Sequence, residues 1–261
     1  MDKQDKFILG IDVSTKCIGV TLAALTCDGV VKVLEVGNLK LKVPRAIKNS
    51  TASLFEKSDM LKQKLVDKYS KYYISNVIIE EPPLAGNNSE STAMLMRFNG
   101  MVSQCIYDNL GIIPEYISSA EARKYGCPSL MAVRKFNKKG EMNNADKLIS
   151  SIKNNDVVLF GSYPFDCVKK YILWNNISER YPEIKWEYTA TGELRDENFD
   201  AVDSLVCVLG YINRTKYCGT EPQVVDFQQG EYKSGKVISY TVDFCGEKHN
   251  KKIILSEELN I

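Results

Sequence analysis

The sequence predicts an α/β protein built on a sheet of mixed direction. Three strand-like segments joined by short polar breaks open the chain, and helical and strand-like segments then alternate. Residues 7–13, Phe7-Ile8-Leu9-Gly10-Ile11-Asp12-Val13, are apolar at almost every position, which marks a strand covered on both faces and hence central. Ser14-Thr15-Lys16 is a tight connection to a second strand over 17–26. Cys27-Asp28-Gly29 then carries the Asp-Gly hairpin signal before a third strand over 30–39. In residues 50–72, Leu54, Met60, Leu61, Leu65 and Tyr69 recur on a helical period with lysines between them. Asn76 to Glu80 reads as a short buried strand stopped by Glu81-Pro82-Pro83. A polar loop, Gly86 to Glu90, precedes a helix over 91–109, and Ile112 to Ile117 is a further strand. Ser118 or Ser119 can cap a short helix that runs through Tyr125.

Beyond Cys127 the periodicity weakens, and 127–164 reads as an insertion containing the basic, turn-like Arg134 to Gly140. Residues 165–180 and 198–214 read as helices, and 186–189 as a short strand. Residues 219–261 read as a C-terminal β-hairpin extension, with Val237 to Val242 alternating and Lys252 to Leu255 as its second run. The expected organisation is one domain over 1–218, interrupted by 127–164 and followed by that extension.

Composition narrows the chemistry. The 34 basic and 33 acidic residues leave a formal net charge of +1, so any basic surface is local. No signal peptide and no apolar run long enough for a bilayer is present in the 261 residues, so no membrane association is expected. None of the eight cysteines forms a CxxC pair, which argues against a zinc ribbon. Cys17, Cys27, Cys105 and Cys207 lie in apolar segments and read as small core residues, and reduced thiols suggest a cytoplasmic protein. His249 is the sole histidine and is remote from the main domain in sequence, which removes Ser-His and Cys-His catalysis. Carboxylates, lysines and metals remain.

Four acids stand out. Asp12 sits inside an apolar strand, where a carboxylate needs a strong partner. Alone it reads equally as a metal ligand and as a cap of the Val13-Ser14-Thr15-Lys16 turn. Glu80 ends the strand Val77-Ile78-Ile79 and alone could be a solvated strand end. Asp200 and Asp203, at i and i+3, share one face of a helix; alone they could offset its dipole. Together, acids from separate elements suit Mg²⁺, a hard ion that prefers oxygen ligands. Two such ions about 3.5–4 Å apart stabilise both the attacking and the leaving oxygen of a phosphoryl displacement, and they dispense with a histidine base.

The segment Ile8-Leu9-Gly10-Ile11-Asp12-Val13-Ser14-Thr15-Lys16-Cys17-Ile18-Gly19 resembles the first strand and turn of the RuvC-like branch of the RNase H superfamily. Val77-Ile78-Ile79-Glu80-Glu81-Pro82 is similar to its second motif, and Ala93 to Tyr107, with Arg97, Asn99 and Gly100, to the helix that follows. Tyr116 to Lys124 resembles the next strand and basic helix, and Asp200-Ala201-Val202-Asp203 the closing acidic helix. The resemblance spans most of 7–126 and 165–214. It implies a five-stranded RNase H-like sheet, with Asp12, Glu80, Asp200 and Asp203 as catalytic, metal-holding acids. It further implies a Mg²⁺-dependent endonuclease, with Mn²⁺ as a substitute metal, that resolves Holliday junctions as a homodimer without a nucleotide cofactor. Residues 127–164 and the tail depart from the family pattern. So does Pro82-Pro83-Leu84, where some resolvases carry an aromatic wedge. Such appendages suggest a phage member, placed in a bacterial or phage-infected host cytoplasm.

Cutting DNA requires phosphate contacts. Candidates are Lys16 beside Asp12, Arg123 and Lys124 on the short helix, and Arg134, Lys135, Lys138 and Lys139 with the interleaved Phe136. Lys40, Lys42, Arg45 and Lys48 form another cluster, although lysine clusters are more often solvated faces. The 91–109 helix is the expected dimer contact. Alternative readings are another nuclease of the same fold, an actin-like ATPase or kinase, and a non-catalytic DNA-binding protein. No second Gly-rich phosphate loop supports the ATPase.

Overall fold

The computed structural model describes residues 6–47, 50–83, 89–232 and 235–256. Lys48 and most of the 86–90 loop lie outside them, as does Leu84. The chain forms two units, one of Met1–Ala122 with Ile177–Ile212 and one of Arg123–Asn176 with Asn213–Ile261.

The first unit is built on five strands: β1 (Lys6–Val13), β2 (Cys17–Leu25), β3 (Val31–Lys40), β4 (Ile74–Glu80) and β5 (Glu115–Ile117). Their order is β3-β2-β1-β4-β5. β1, β2 and β3 pair antiparallel, while β4 and β5 run parallel to β1. This is the mixed five-stranded sheet expected. β5 is shorter than the 112–117 run, and only Glu115, Tyr116 and Ile117 pair with β4.

Strand alternation sends Leu9, Ile11, Val13, Ile18, Val20, Leu22, Val77 and Ile79 into one core. Helix α1 (Thr51–Tyr69) covers it with Leu54, Leu61 and Leu65, and α2 (Ser89–Leu110) with Phe98, Val102 and Ile106. Each such fully buried side chain contributes about 1.5–3 kcal/mol. Ser50 caps α1, its Oγ accepting the Ser53 amide at 3.3 Å.

On the opposite face, β-pairing sets Gly10 beside Thr21 and Asp12 beside Gly19. The helix α6 (Glu197–Tyr217) lies against these glycines. A Cβ at Gly19 would sit 1.9 Å from the Asp200 carbonyl oxygen, and one at Gly10 would sit 2.4 Å from the Ser204 carbonyl oxygen. Only residues without a side chain allow this approach. The Thr21 and Ser204 hydroxyls, 2.8 Å apart, satisfy each other in the same layer.

The second unit contains α3 from Arg123 onward (helix range Ser119–Gly126), β6 (Met131–Val133), α4 (Ala145–Lys153), β7 (Val157–Leu159) and the start of α5 (Lys169–Arg180). It also contains the end of α6 and the strands β8 (Gln223–Tyr232), β9 (Gly235–Phe244) and β10 (Glu247–Ser256). The expected C-terminal hairpin is β9 and β10. A third strand, β8, pairs on the other edge of β9. It was missed because an edge strand reading Gln223 to Tyr232 has little apolar alternation. Met131 and Val133 of β6, Leu148 and Ile152 of α4, and Ile238, Tyr240, Val242 and Ile253 of the C-terminal sheet share one core. The 127–164 segment and the tail are therefore packed together.

Three expectations are corrected. Cys27 is exposed and not a core residue, because it sits in the turn between β2 and β3 that the Thr26 amide closes onto the Val30 carbonyl. No strand forms over 186–189; Tyr188 makes only an isolated bridge to Leu194, because Thr189 to Glu193 closes in a turn. Helix α5 begins at Lys169 rather than 165, since the Pro164 carbonyl accepts the Cys167 amide in a turn and the Val168 carbonyl accepts that of Tyr171.

Gly19→Ala should destabilise the protein by about 2 kcal/mol or more, because a backbone carbonyl blocks the new methyl. Gly37→Ala, where a Cβ meets nothing within 4 Å, should be near neutral. Urea unfolding of the two variants checks this.

Candidate metal centre

β1 and β4 run parallel with Ile11 in register with Ile79. The residues that follow, Asp12 and Glu80, therefore emerge side by side from neighbouring strands. The close approach of α6 at Gly10 and Gly19 brings the third acid. One carboxylate oxygen each from Asp12, Glu80 and Asp203 lies within 4.8 Å of the other two, and all three residues are half-buried. The Cys207 thiol, one turn along α6, is 4.0 Å from Glu80 Oε2.

Asp200 does not join this group. Its Oδ2 accepts a hydrogen bond from the Cys17 thiol at 2.8 Å and lies 3.0 Å from the Ser14 hydroxyl, whose proton is shared with the Cys17 carbonyl at 2.8 Å. Ser14 Oγ also accepts the Cys17 amide at 3.2 Å. Burial, reinforced by the hydrogen bond to Asp200, pushes the Cys17 thiol far above its usual pKa, so it remains a proton donor. Asp200 is thus anchored to the first turn, one helical turn from Asp203.

Two buried polar side chains hold the backbone behind the acids. Lys57 is 8% exposed, and its ammonium donates to the Thr15 carbonyl at 2.6 Å, 6.0 Å from the Phe98 ring centroid. Asn99, also buried, donates from Nδ2 to the Glu80 carbonyl at 3.4 Å. Lys57 is not among the expected site residues, yet the sequence carries a signal for it: it falls between Leu54 and Leu61 on the core-facing stripe of α1, where a lysine needs an acceptor. Farther out, Asn198 fixes the start of α6. Its Oδ1 accepts the Glu187 amide at 3.0 Å, and its Nδ2 donates to the Glu187 and Arg195 carbonyls at 2.6 and 3.0 Å.

The donor set fits a hard divalent cation. Three carboxylates supply only oxygen, they arise from three separate elements, and at this spacing their charges repel unless a cation or protons neutralise them.

Of the residues expected at DNA, Lys16 lies exposed in the β1–β2 turn of the first unit, which also holds Lys40, Lys42 and Arg45, whereas Arg123, Lys124, Arg134, Lys135, Phe136, Lys138 and Lys139 belong to the second unit. Arg123 is half-buried. Lys124 Nζ is 3.1 Å from Glu221 Oε2 and 5.5 Å from the Tyr125 ring centroid. Arg134 Nε is 3.8 Å from Asp156 Oδ2, Lys135 lies over the Phe136 ring at 5.4 Å, and Lys138 and Lys139 are exposed. Lys40 pairs with Glu187 at 2.5 Å. No helix of the described residues is long and apolar enough to cross a membrane.

No protein-family model matches the sequence, and no curated protein matches it. Among solved structures the chain is similar to T. thermophilus RuvC in complex with Holliday junction substrate, at 10% identity and TM-score 0.46, over 80% of this chain and 95% of that one. It is also similar to the yeast mitochondrial Holliday junction resolvase Ydc2, at 15% identity and TM-score 0.45, over 79% of this chain and 78% of that one. A further structure of Thermus thermophilus RuvC aligns at 12% identity and TM-score 0.40, over 80% and 96% of the two chains.

Lys57→Met keeps the apolar stem but takes the donor from the Thr15 carbonyl. A loss of about 1–3 kcal/mol in urea unfolding is expected, whereas Lys57→Arg should recover part of it.

Proposed function

We propose that this protein is a metal-dependent endonuclease that resolves Holliday junctions or other branched DNA by phosphodiester hydrolysis. The observation that carries the reading is the convergence of Asp12, Glu80 and Asp203 from β1, β4 and α6 within 4.8 Å. The ordered motifs that resemble RuvC-like nucleases supply the substrate class.

In this reading Asp12, Glu80 and Asp203 would hold Mg²⁺, or Mn²⁺ in its place. A bound metal would supply Lewis acidity toward the phosphodiester and would lower the pKa of water. The protein's own part is to orient. Glu80 and Asp12 are fixed by strand pairing, Asp203 by the glycine contacts of α6, and the turn after Asp12 by Lys57. Asp200, held by Ser14 and Cys17, stands as a fourth acid beside the cluster and can accept a proton or a further ligand contact. The lone histidine, His249, lies in β10 of the second unit, and no step requires it.

Lys16, exposed in the turn that follows Asp12, would meet the phosphate backbone near the cut. Within the second unit, Arg123, Lys124, Arg134, Lys135, Phe136, Lys138 and Lys139 are proposed DNA contacts, with Lys124 exchanging Glu221 for phosphate. A homodimer would present two such centres to the two strands of a symmetric junction. The exposed Met96 and Tyr107 on α2 suit that contact.

Asp12→Asn and Glu80→Gln should each lower the cleavage rate at least about 10³-fold, a loss of some 4 kcal/mol in barrier stabilisation, while far-UV circular dichroism and junction binding stay unchanged. The assay uses a labelled four-way junction, a flap and an RNA–DNA hybrid, each with Mg²⁺ or EDTA. Cleavage that persists in EDTA or in either variant would remove the proposed centre, and preferential cutting of the hybrid would move the substrate to RNA–DNA. Light scattering should give twice the monomer mass, with Tyr107→Glu shifting the protein toward monomer.

A further inference from the structure

The second unit carries an exposed aromatic segment, 163–171, that the nuclease reading does not use, next to basic residues that it does. Within nine residues, Tyr163, Phe165, Val168 and Tyr171 are 38%, 70%, 55% and 45% exposed, and Phe165 is the most exposed phenylalanine among the described residues. Chance placement of single apolar residues on a surface is ordinary; a run of three aromatics is not.

The segment is held outward by specific backbone geometry. Phe160, itself buried, has φ +61°, a left-handed conformation that costs a non-glycine residue of order 1 kcal/mol. Its amide donates to the Leu130 carbonyl at 2.9 Å. Gly161 follows with no room for a side chain, since a Cβ there would lie 2.1 Å from the Ala132 carbonyl oxygen. After this pinned pair the chain leaves the core through successive turns, with the amides of Tyr163, Cys167 and Tyr171 donating to the carbonyls of Phe160, Pro164 and Val168. The aromatics therefore stand on an anchored base.

The basic loop is joined to the same base. The Lys135 amide donates to the Gly161 carbonyl at 2.7 Å, and a Cβ on Gly140 would come 3.9 Å from Asp166 Oδ1. Arg134, Lys135, Lys138, Lys139, Lys169 and Lys170 are six cations on these segments. Three acids, Glu141, Asp156 and Asp166, oppose them. Two of those are engaged locally: Glu141 with Asn137 Nδ2 at 2.8 Å, and Asp156 with Arg134 at 3.8 Å. Lys169 and Lys170 lie 5.8 and 5.7 Å from the Phe160 and Tyr171 ring centroids.

We propose that this surface, centred on Phe165 with Tyr163 and Tyr171, binds unpaired nucleotides of DNA by base stacking, with the flanking lysines on the phosphates. Protruding rings on short turns can stack on a base face that is open, which a closed duplex does not offer along its length. Lys169 and Lys170 stand between Phe165 and Tyr171 in the chain and supply positive charge for the phosphates that flank a stacked base. The inference rests on the nucleic-acid part of the proposed function and is independent of the metal centre.

The test is fluorescence anisotropy of the full chain with a labelled single-stranded oligothymidylate in EDTA, so that cleavage plays no part. Phe165→Ala should weaken binding about tenfold, Phe165→Trp should retain it, and replacing Lys169 and Lys170 by Gln should flatten the salt dependence. Two outcomes overturn the proposal: no single-strand binding by the wild type, or equal affinity in the folded Phe165→Ala variant. A Phe165→Ala variant that changes oligomeric mass at unaltered DNA affinity would overturn it too, by assigning the patch to a protein contact. Loss of the nuclease reading would appear separately, as uncut junction with wild-type protein and Mg²⁺.

Discussion

The contact on which the acidic centre depends is backbone against backbone, between α6 and the sheet. At Gly10 and Gly19 the helix comes so near that any Cβ would overlap a carbonyl oxygen of Asp200 or Ser204. Those two carbonyls bracket the turn of α6 that carries Asp203. Strand pairing has already put Asp12 opposite Gly19 and next to Glu80. The same contact that lets the helix dock thus sets how near the third carboxylate stands. Volume added beneath α6 would be felt as carboxylate separation, because close-packed interiors transmit displacement instead of absorbing it.

Bringing acids together beside an apolar core creates a cost that the surrounding polar groups distribute. Lys57 places a buried positive charge under the turn that follows Asp12, and Asn99 engages the backbone at Glu80. Ser14 and Cys17 engage Asp200, with the thiol kept protonated by its burial. None of these side chains belongs to the acidic cluster itself. Each removes one degree of freedom from the backbone that carries it, which is how a site keeps its geometry against like-charge repulsion.

The second unit follows a different logic. Two short chain segments, neither able to bury a core alone, share one: α4 and β6 supply Leu148, Ile152, Met131 and Val133, and the C-terminal sheet supplies Ile238, Tyr240 and Val242. Polar ties across them are specific. The Tyr240 hydroxyl accepts the Val133 amide at 3.2 Å, Asn155 bridges Pro222 and Val224, and Lys251 donates to the Ser129 carbonyl at 2.5 Å while burial holds its pKa below the usual lysine value. A rigid base of this kind is what permits the strained Phe160 and the exposed aromatics beyond it.

By itself the sequence determined the elements whose signal is local. The apolar runs of β1, β2, β3 and β4, the Asp-Gly hairpin, the periodic α1 and α2, and the i, i+3 pair Asp200 and Asp203 were legible because period and turn chemistry act over a few residues. Weak local signals were lost: α4, although Asn144 caps it by accepting the Lys147 amide at 3.0 Å; the edge strand β8; and the turn that replaced a strand at 186–189. Tertiary structure alone decided which acids meet. Asp203 approaches Asp12 and Glu80, whereas Asp200 turns to Ser14 and Cys17, residues 186 and 183 positions away in the chain. It also decided that 127–164 and the tail share a core. Contacts of that range leave no trace in periodicity, because they are fixed by packing geometry between elements and not by the preferences of either element.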